Sequence, residues 1–197
     1  MQFTVPCEVV ARLSTVLGRM PDNANEWFRS IRYDNGVLVV SNRKIIAAEY
    51  VGGPSGVAHI VAEPALIEQC RTEGNFGSSL EINIIEAMRF TTAKTTLGYA
   101  FPGNAGVWSA AANDFDQWRT LARGEKKLNS AKFMRWYAEE IAMLASSSPS
   151  GVVCFPEKID PTRAIVVRDS VDLKWCGLLQ GNAENEGFFP ATLPDWI

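Results

Sequence analysis

Few residues in this chain have the type and spacing that bond chemistry needs. His59 is the only histidine, which removes most metal, triad and general-base schemes at once and leaves it as a strand residue. Cys7, Cys70, Cys154 and Cys176 stand singly in apolar segments, without the paired spacing of a zinc or redox site, and read as buried reduced thiols. Asp169 and Asp172 lie in a hairpin and Glu139-Glu140 on a helix, and neither pair has a partner at acid/base spacing. Gly52-Gly53 and Gly103 lack the strand-to-helix context of a phosphate loop, and the six tryptophans are too dispersed for a base-stacking platform. No catalytic site, metal site or cofactor is expected. Phosphate-directed cations are another matter. Arg12 and Arg19 are seven apart and share one side of a helix, opposite Val9, Leu13, Val16 and Leu17; Arg71 lies on the polar side of a second helix. Lys132 and Arg135 are three apart on a third, with Lys126-Lys127 before it. Glu8, Glu68 and Glu139 interrupt these rows, so the faces are mixed and a plain solvated helix face competes with a binding face.

The elements that must position these cations follow from hydrophobic period. A strand at residues 1–5 precedes a helix at 6–20, in which Val9, Val10, Leu13, Val16, Leu17 and Met20 recur at helical spacing. Strands at 27–34, 37–42 and 44–52 follow, the first two joined by Asn35-Gly36, the strongest short hairpin signal. The order then repeats. A strand at 57–61, a helix opened by Glu63-Pro64 and ended near Gly74, and strands at 79–86, 87–93 and 95–101 form a second βαβββ unit. Residues 113–118 allow one helical turn and residues 125–129 a short strand. Ser130 is placed to cap a helix at 131–145 with the stripe Phe133, Met134, Tyr137, Ile141 and Leu144. Strands at 151–157, 163–169 and 173–180 complete a third unit. The implied organisation is a domain of two units at 1–105, a connector at 106–124, a third unit at 125–181, and a tail at 182–197 whose prolines exclude a long helix. The fold class is α+β, with helices on one side of antiparallel sheet.

At 197 residues with 47% hydrophobic content, the chain can build its own core without staples. The opening residues have no signal-peptide pattern and no apolar run reaches the ~18 residues of a spanning helix, so a cytoplasmic location and no membrane partner are expected. The net charge of −3 neither supports nor excludes nucleic acid, because binding depends on a local basic face.

The opening strand and helix (1–20), the hairpin at 36–52, the strand run 79–103 followed by 113–118, and the segments 132–147 and 163–177 together resemble the bacterial DNA sliding clamp, the beta subunit of DNA polymerase III. Gly18-Arg19-Met20-Pro21 loosely echoes that family's Gly-Arg-Pro step. The resemblance implies a non-enzymatic processivity factor or DNA-associated scaffold that encircles duplex DNA without reading sequence. Inner helices would present Arg12, Arg19, Arg71, Lys132 and Arg135 to phosphates. It further implies a DNA polymerase or clamp loader as partner, and a homo-oligomer, since clamp rings hold twelve βαβββ units and this chain offers three. The alternative is a clamp-fold interaction or inhibitor protein that binds a protein partner and does not encircle DNA. As a surface residue, Arg12 would tolerate alanine at under about 0.5 kcal/mol.

Overall fold

A computed structural model describes residues 2–17, 30–42, 44–61, 64–85, 90–95, 118–123, 133–135, 138–160, 163–180 and 182–184. Strand β1 (Gln2–Pro6) buries Phe3 and Val5 on one face, and Pro6 turns the chain into helix α1 (Cys7–Leu13). The Cys7 N–H donates to the Ser78 carbonyl oxygen at 2.9 Å, so the helix start is anchored to a neighbouring segment. The expected continuous helix to Met20 is shorter: Ser14–Leu17 is a 3-10 turn, and 18–20 lie outside the described residues. Ser14 Oγ and Thr15 Oγ1 donate to the carbonyl oxygens of Ala11 and Arg12, three residues back, and this competition tightens the last turn.

Strands β2 (Ser30–Asp34), β3 (Val37–Ser41) and β4 (Ile45–Tyr50) form the expected meander. Asn35 and Gly36 both have positive φ, 51° and 86°, the backbone that a two-residue hairpin turn of right-handed twist requires. Strand β5 (Val57–Val61), helix α2 (Pro64–Gly74), β6 (Ser79–Ile85) and β7 (Phe90–Thr95) make the second unit. The two units interlock, because each gives its first strand to the other's sheet: β1 pairs with β6, and β5 pairs with β2. Helices α1 and α2 pack closely where Gly74 meets Glu8; a Cβ at Gly74 would stand 2.8 Å from the Glu8 nitrogen.

Helix α3 (Trp118–Ala122) lies on the sheet face opposite α1. Along β3 and β4, Leu38, Val40, Ile45 and Ala47 join the main core with α1, whereas Val39, Ala48 and Trp118 form a second cluster. Trp118 Nε1 donates to Asp34 Oδ2 at 3.1 Å, and Arg119 pairs with the same carboxylate. The helix expected at 131–145 is corrected. Phe133–Arg135 is a strand, β8, and helix α4 runs Ala138–Ser147. β8 pairs antiparallel with β12 (Asn182–Glu184), so tertiary pairing overrides a helical stripe, and the acidic Glu139 and Glu140 mark the true first turn of the helix.

Strands β9 (Val153–Cys154), β10 (Ile165–Asp169) and β11 (Trp175–Leu179) follow as expected. β11 pairs antiparallel with β4, which fuses the third unit to the first in a seven-stranded sheet of order β5-β2-β3-β4-β11-β10-β9 beside the three-stranded β1-β6-β7. Gly177 lets α4 approach that junction: a Cβ there would lie 2.8 Å from atoms of Leu144, Trp175 and Val167. Among the described residues no helix is long and apolar enough to cross a membrane. The break expected between strands at 87–93 and 95–101 is corrected: β7 runs through Ala93-Lys94 to Thr95, held by its ladder with β6. Residues 96–101, the strand expected at 125–129, the turn at 113–117, Ser130 and residues 185–197 lie outside the described residues.

Candidate nucleic-acid interface

Helices α1, α2 and α4 share one side of the sheets, and α3 lies on the other. α4 packs on α1, on the 3-10 turn and on β4, while α1 packs on α2. The apolar side chains predicted to face inward do so: Val9, Val10, Leu13, Val16 and Leu17 are buried in one core with Leu66, Cys70 and Leu144. What remains outward decides whether this face can meet phosphates.

Arg71 projects to solvent from the last turn of α2, its Nη1 2.5 Å from Glu68 Oε2, both groups more than half exposed. Such a pair is worth little and opens readily in favour of another anion. It borders a groove of about 410 Å³ between the 3-10 turn and α2, lined by Ser14, Thr15, Leu17, Pro64, Ile67, Glu68 and Arg71. Arg12 is placed differently. Its Nη2 stands 2.6 Å from Glu49 Oε2 on β4, and its Nε donates to the carbonyl oxygen of Ser147 at the end of α4. With 17% of the Arg12 side chain and 7% of Glu49 exposed, this ion pair ties α1 to β4 and α4 rather than lying open to solvent. Burial pushes the Glu49 carboxyl up, and the Arg12 hydrogen bond and charge draw it back only in part, with Asp172 and Glu8 adding repulsion.

The expected basic rows are therefore only partly assembled. Arg19 and Lys132 lie outside the described residues. Arg135 is on β8 and not on a helix, so the Lys132/Arg135 row on a third helix is corrected by the β8–β12 pairing. α4 carries no lysine or arginine; Glu139 is exposed, and Glu140 is buried against Lys44 Nζ at 2.9 Å. The surface position expected for Arg12 is corrected too, and with it the small cost of removing it. Arg12→Ala is expected to cost about 2 to 3 kcal/mol because it leaves Glu49 buried without its cation. Glu49→Gln, which removes a charge whose burial is unfavourable, is expected to cost less. Leu13→Ala should cost about 2 to 5 kcal/mol, a buried leucine's usual range. Denaturant titration at neutral pH checks all three, and an Arg12→Ala loss below about 0.5 kcal/mol would show the guanidinium to be solvated.

Elsewhere the thiols mostly follow expectation. Cys7 and Cys70 are buried and Cys176 half-buried, and burial pushes all three thiols up; Cys154 departs from it, exposed on the narrow strand β9. Among the described residues no three histidine, cysteine or acidic side chains gather as a metal site. A cluster that spacing did not reveal centres on Asp169. Its buried carboxylate accepts from the N–H groups of Ser150, Val171 and Asp172 at 2.7–2.8 Å and from the Ser148 hydroxyl. Burial alone would raise this carboxyl, but those four donors, the Ser148 hydroxyl first, hold it well below the usual carboxylate range. These bonds fix the loop after α4 and the turn after β10.

No protein-family model and no curated protein matches the sequence. Solved structures do. The DNA polymerase sliding clamp from Pseudomonas aeruginosa superposes with a TM-score of 0.62 at 11% identity, over 93% of this chain and 67% of that one. The DNA polymerase III subunit beta from the same organism gives 0.58 at 10% identity, over 93% and 67%. A putative DNA polymerase III beta subunit from Eubacterium rectale ATCC 33656 gives 0.55 at 10% identity, over 92% and 65%. The chain thus spans about two thirds of the length of the clamps that it matches. With its interlocked βαβββ units and with α1, α2 and α4 together on one side of antiparallel sheet, the chain has the fold of the bacterial DNA sliding clamp.

Proposed function

We propose that this protein is a non-enzymatic, sliding-clamp-like processivity factor or DNA-associated scaffold that holds duplex DNA against its helical face. The observation that carries the reading is the clamp fold itself, with α1, α2 and α4 packed on one side of the sheets. Arg71, Arg19 and Lys132 supply the phosphate contacts in this reading, Arg135 adds to them from β8, and Arg12 positions the face through Glu49. A DNA polymerase or clamp loader is the protein partner, in the cytoplasm. The ring is a homo-oligomer. Clamp rings of the resembled family hold twelve βαβββ units, of which this chain supplies three. Four copies therefore close the ring.

Duplex binding is expected to weaken linearly in log–log against salt, with a slope of about 0.9 per phosphate contacted, alike for every sequence. Arg19→Glu with Arg71→Glu should weaken it uniformly. Mass in solution, with and without DNA, counts the copies. One observation favours the second reading, a clamp-fold protein that binds a protein partner without encircling DNA: the described helical face is mixed, with Arg71 on Glu68 and an acidic first turn on α4. Absence of duplex binding at low salt would select that reading.

A further inference from the structure

One end of the seven-stranded sheet carries a row of exposed apolar side chains. Register places them together. Val57 opens β5 opposite Asp34, Asp34 faces Val37, Val37 faces Tyr50, the Tyr50 N–H donates to the Lys174 carbonyl oxygen, and Asp169 faces Val153. Val57, Tyr50, Leu173, Val171 and Val152 therefore follow one another along a single rim, and all are exposed, Val171 at 80% and Leu173 at 87%. Flexibility does not explain the exposure of the last two. The 170–174 turn is fixed by the Asp169 carboxylate on the Val171 and Asp172 N–H groups and by Asp172 Oδ1 on the Lys174 N–H at 2.8 Å. A turn held this firmly presents its two aliphatic side chains outward by construction, and with exposed Tyr50 and Val152 on the neighbouring strand ends they make an apolar patch of the kind that marks a contact surface.

The rim is nearly uncharged. The loops 51–56 and 149–152 carry no ionisable side chain, Glu49 is turned to Arg12 and Asp34 to Arg119, and Asp172 and exposed Lys174 nearly balance. Phosphate is a poor occupant. An apolar segment with a single acidic side chain suits it, and residues 187–197, Gly-Phe-Phe-Pro-Ala-Thr-Leu-Pro-Asp-Trp-Ile, have that composition, with Asp195 as the partner for Lys174. Reach is sufficient. β11 runs away from the rim, and the chain passes Gln180, whose N–H donates to the Lys44 carbonyl oxygen at the far end, before β12 ends at Glu184. The thirteen residues that follow can extend roughly 43 Å. A five-residue strand back to the rim is about 17 Å, and β4 to β9 is three strand spacings, about 14 Å.

We infer that residues 187–197 dock across this rim within the same chain, with their aromatic side chains on Tyr50, Val152, Val171 and Leu173 and Asp195 near Lys174. Photo-cross-linking of the full chain tests it, with benzoylphenylalanine at position 173 and, as a control on the helical face, at position 139. The 173 probe is expected to join residues 187–197 of its own chain, and the 139 probe is not. Cross-links between copies, or to none of 187–197, would overturn the inference. Val171→Ser with Leu173→Ser, both at the surface and compatible with folding, should speed protease cleavage within 185–197 about tenfold while the near-ultraviolet circular dichroism is kept. Unchanged cleavage would also overturn it. Neither measurement involves DNA, so the outcome is independent of the clamp reading.

Discussion

Asp169→Ala is expected to lower the unfolding free energy by about 3 to 5 kcal/mol at neutral pH, because it strands the buried Ser148 hydroxyl and three partly buried N–H donors at once. The carboxylate holds the loop after α4 through Ser148 and Ser150, and the β10–β11 turn through Val171 and Asp172. Asp169→Asn should be nearly as costly, since its amide turns one acceptor into a donor facing N–H groups. The pH dependence has a fixed sign. A carboxyl with a depressed folded pKa stabilises fully above its unfolded value, near 3.9, and loses that contribution as pH falls below it toward the folded pKa. The difference between the native protein and Asp169→Asn should therefore shrink in denaturant titrations taken from pH 7 down to pH 3. A constant difference would assign the cost to shape and not to charge.

Trp175→Ala is expected to cost about 3 to 5 kcal/mol and to loosen the third unit from the first. Trp175 is fully buried at the β4–β11 ladder, opposite Glu49, and crowds with Leu144 and Val167 around the space that Gly177 leaves empty. Amide exchange should report the loss first at β10 and β11, with β2 and β3 less affected. Trp175→Phe should cost far less, about 1 kcal/mol, since Trp175 Nε1 has no hydrogen-bond partner among the described residues and the indole N–H brings no bond to lose. A phenylalanine as damaging as alanine would mean that the second ring fills space nothing else can.

The meander around Asn35-Gly36 and the inward stripe of α1 were legible because both are local: a turn that demands positive φ, and a period that one helix must satisfy. The third helix starts later than its apolar stripe for a non-local reason. Phe133 and Met134 continue the stripe of Ile141 and Leu144, but Ala183 and Glu184 pair with them, and no window on the sequence contains both partners. The exchange of β1 and β5 between units is hidden in the same way. Arg12 shows the limit for the site. Its place opposite the apolar stripe was read correctly as the polar side of α1, but that side meets Glu49 and the end of α4 before it meets solvent. In the sequence Asp169 is an acid without a partner, because its partners are three backbone N–H groups, which leave no mark in the composition, and a serine hydroxyl 21 residues away.

The β4–β11 ladder also sets a timetable. β4 ends at Tyr50 and its neighbour begins at Trp175, about 125 residues later, so a ribosome adding roughly 5 to 20 residues per second leaves the nascent β4 edge open for about 6 to 25 s. Pairing so distant in sequence is slow to close, and during that interval the strand Ile-Ile-Ala-Ala-Glu-Tyr offers unpaired backbone and apolar side chains to any other chain nearby. Yield of this protein in cells should therefore be governed less by the stability of the finished sheet than by what shields one strand while it waits for its partner to be made.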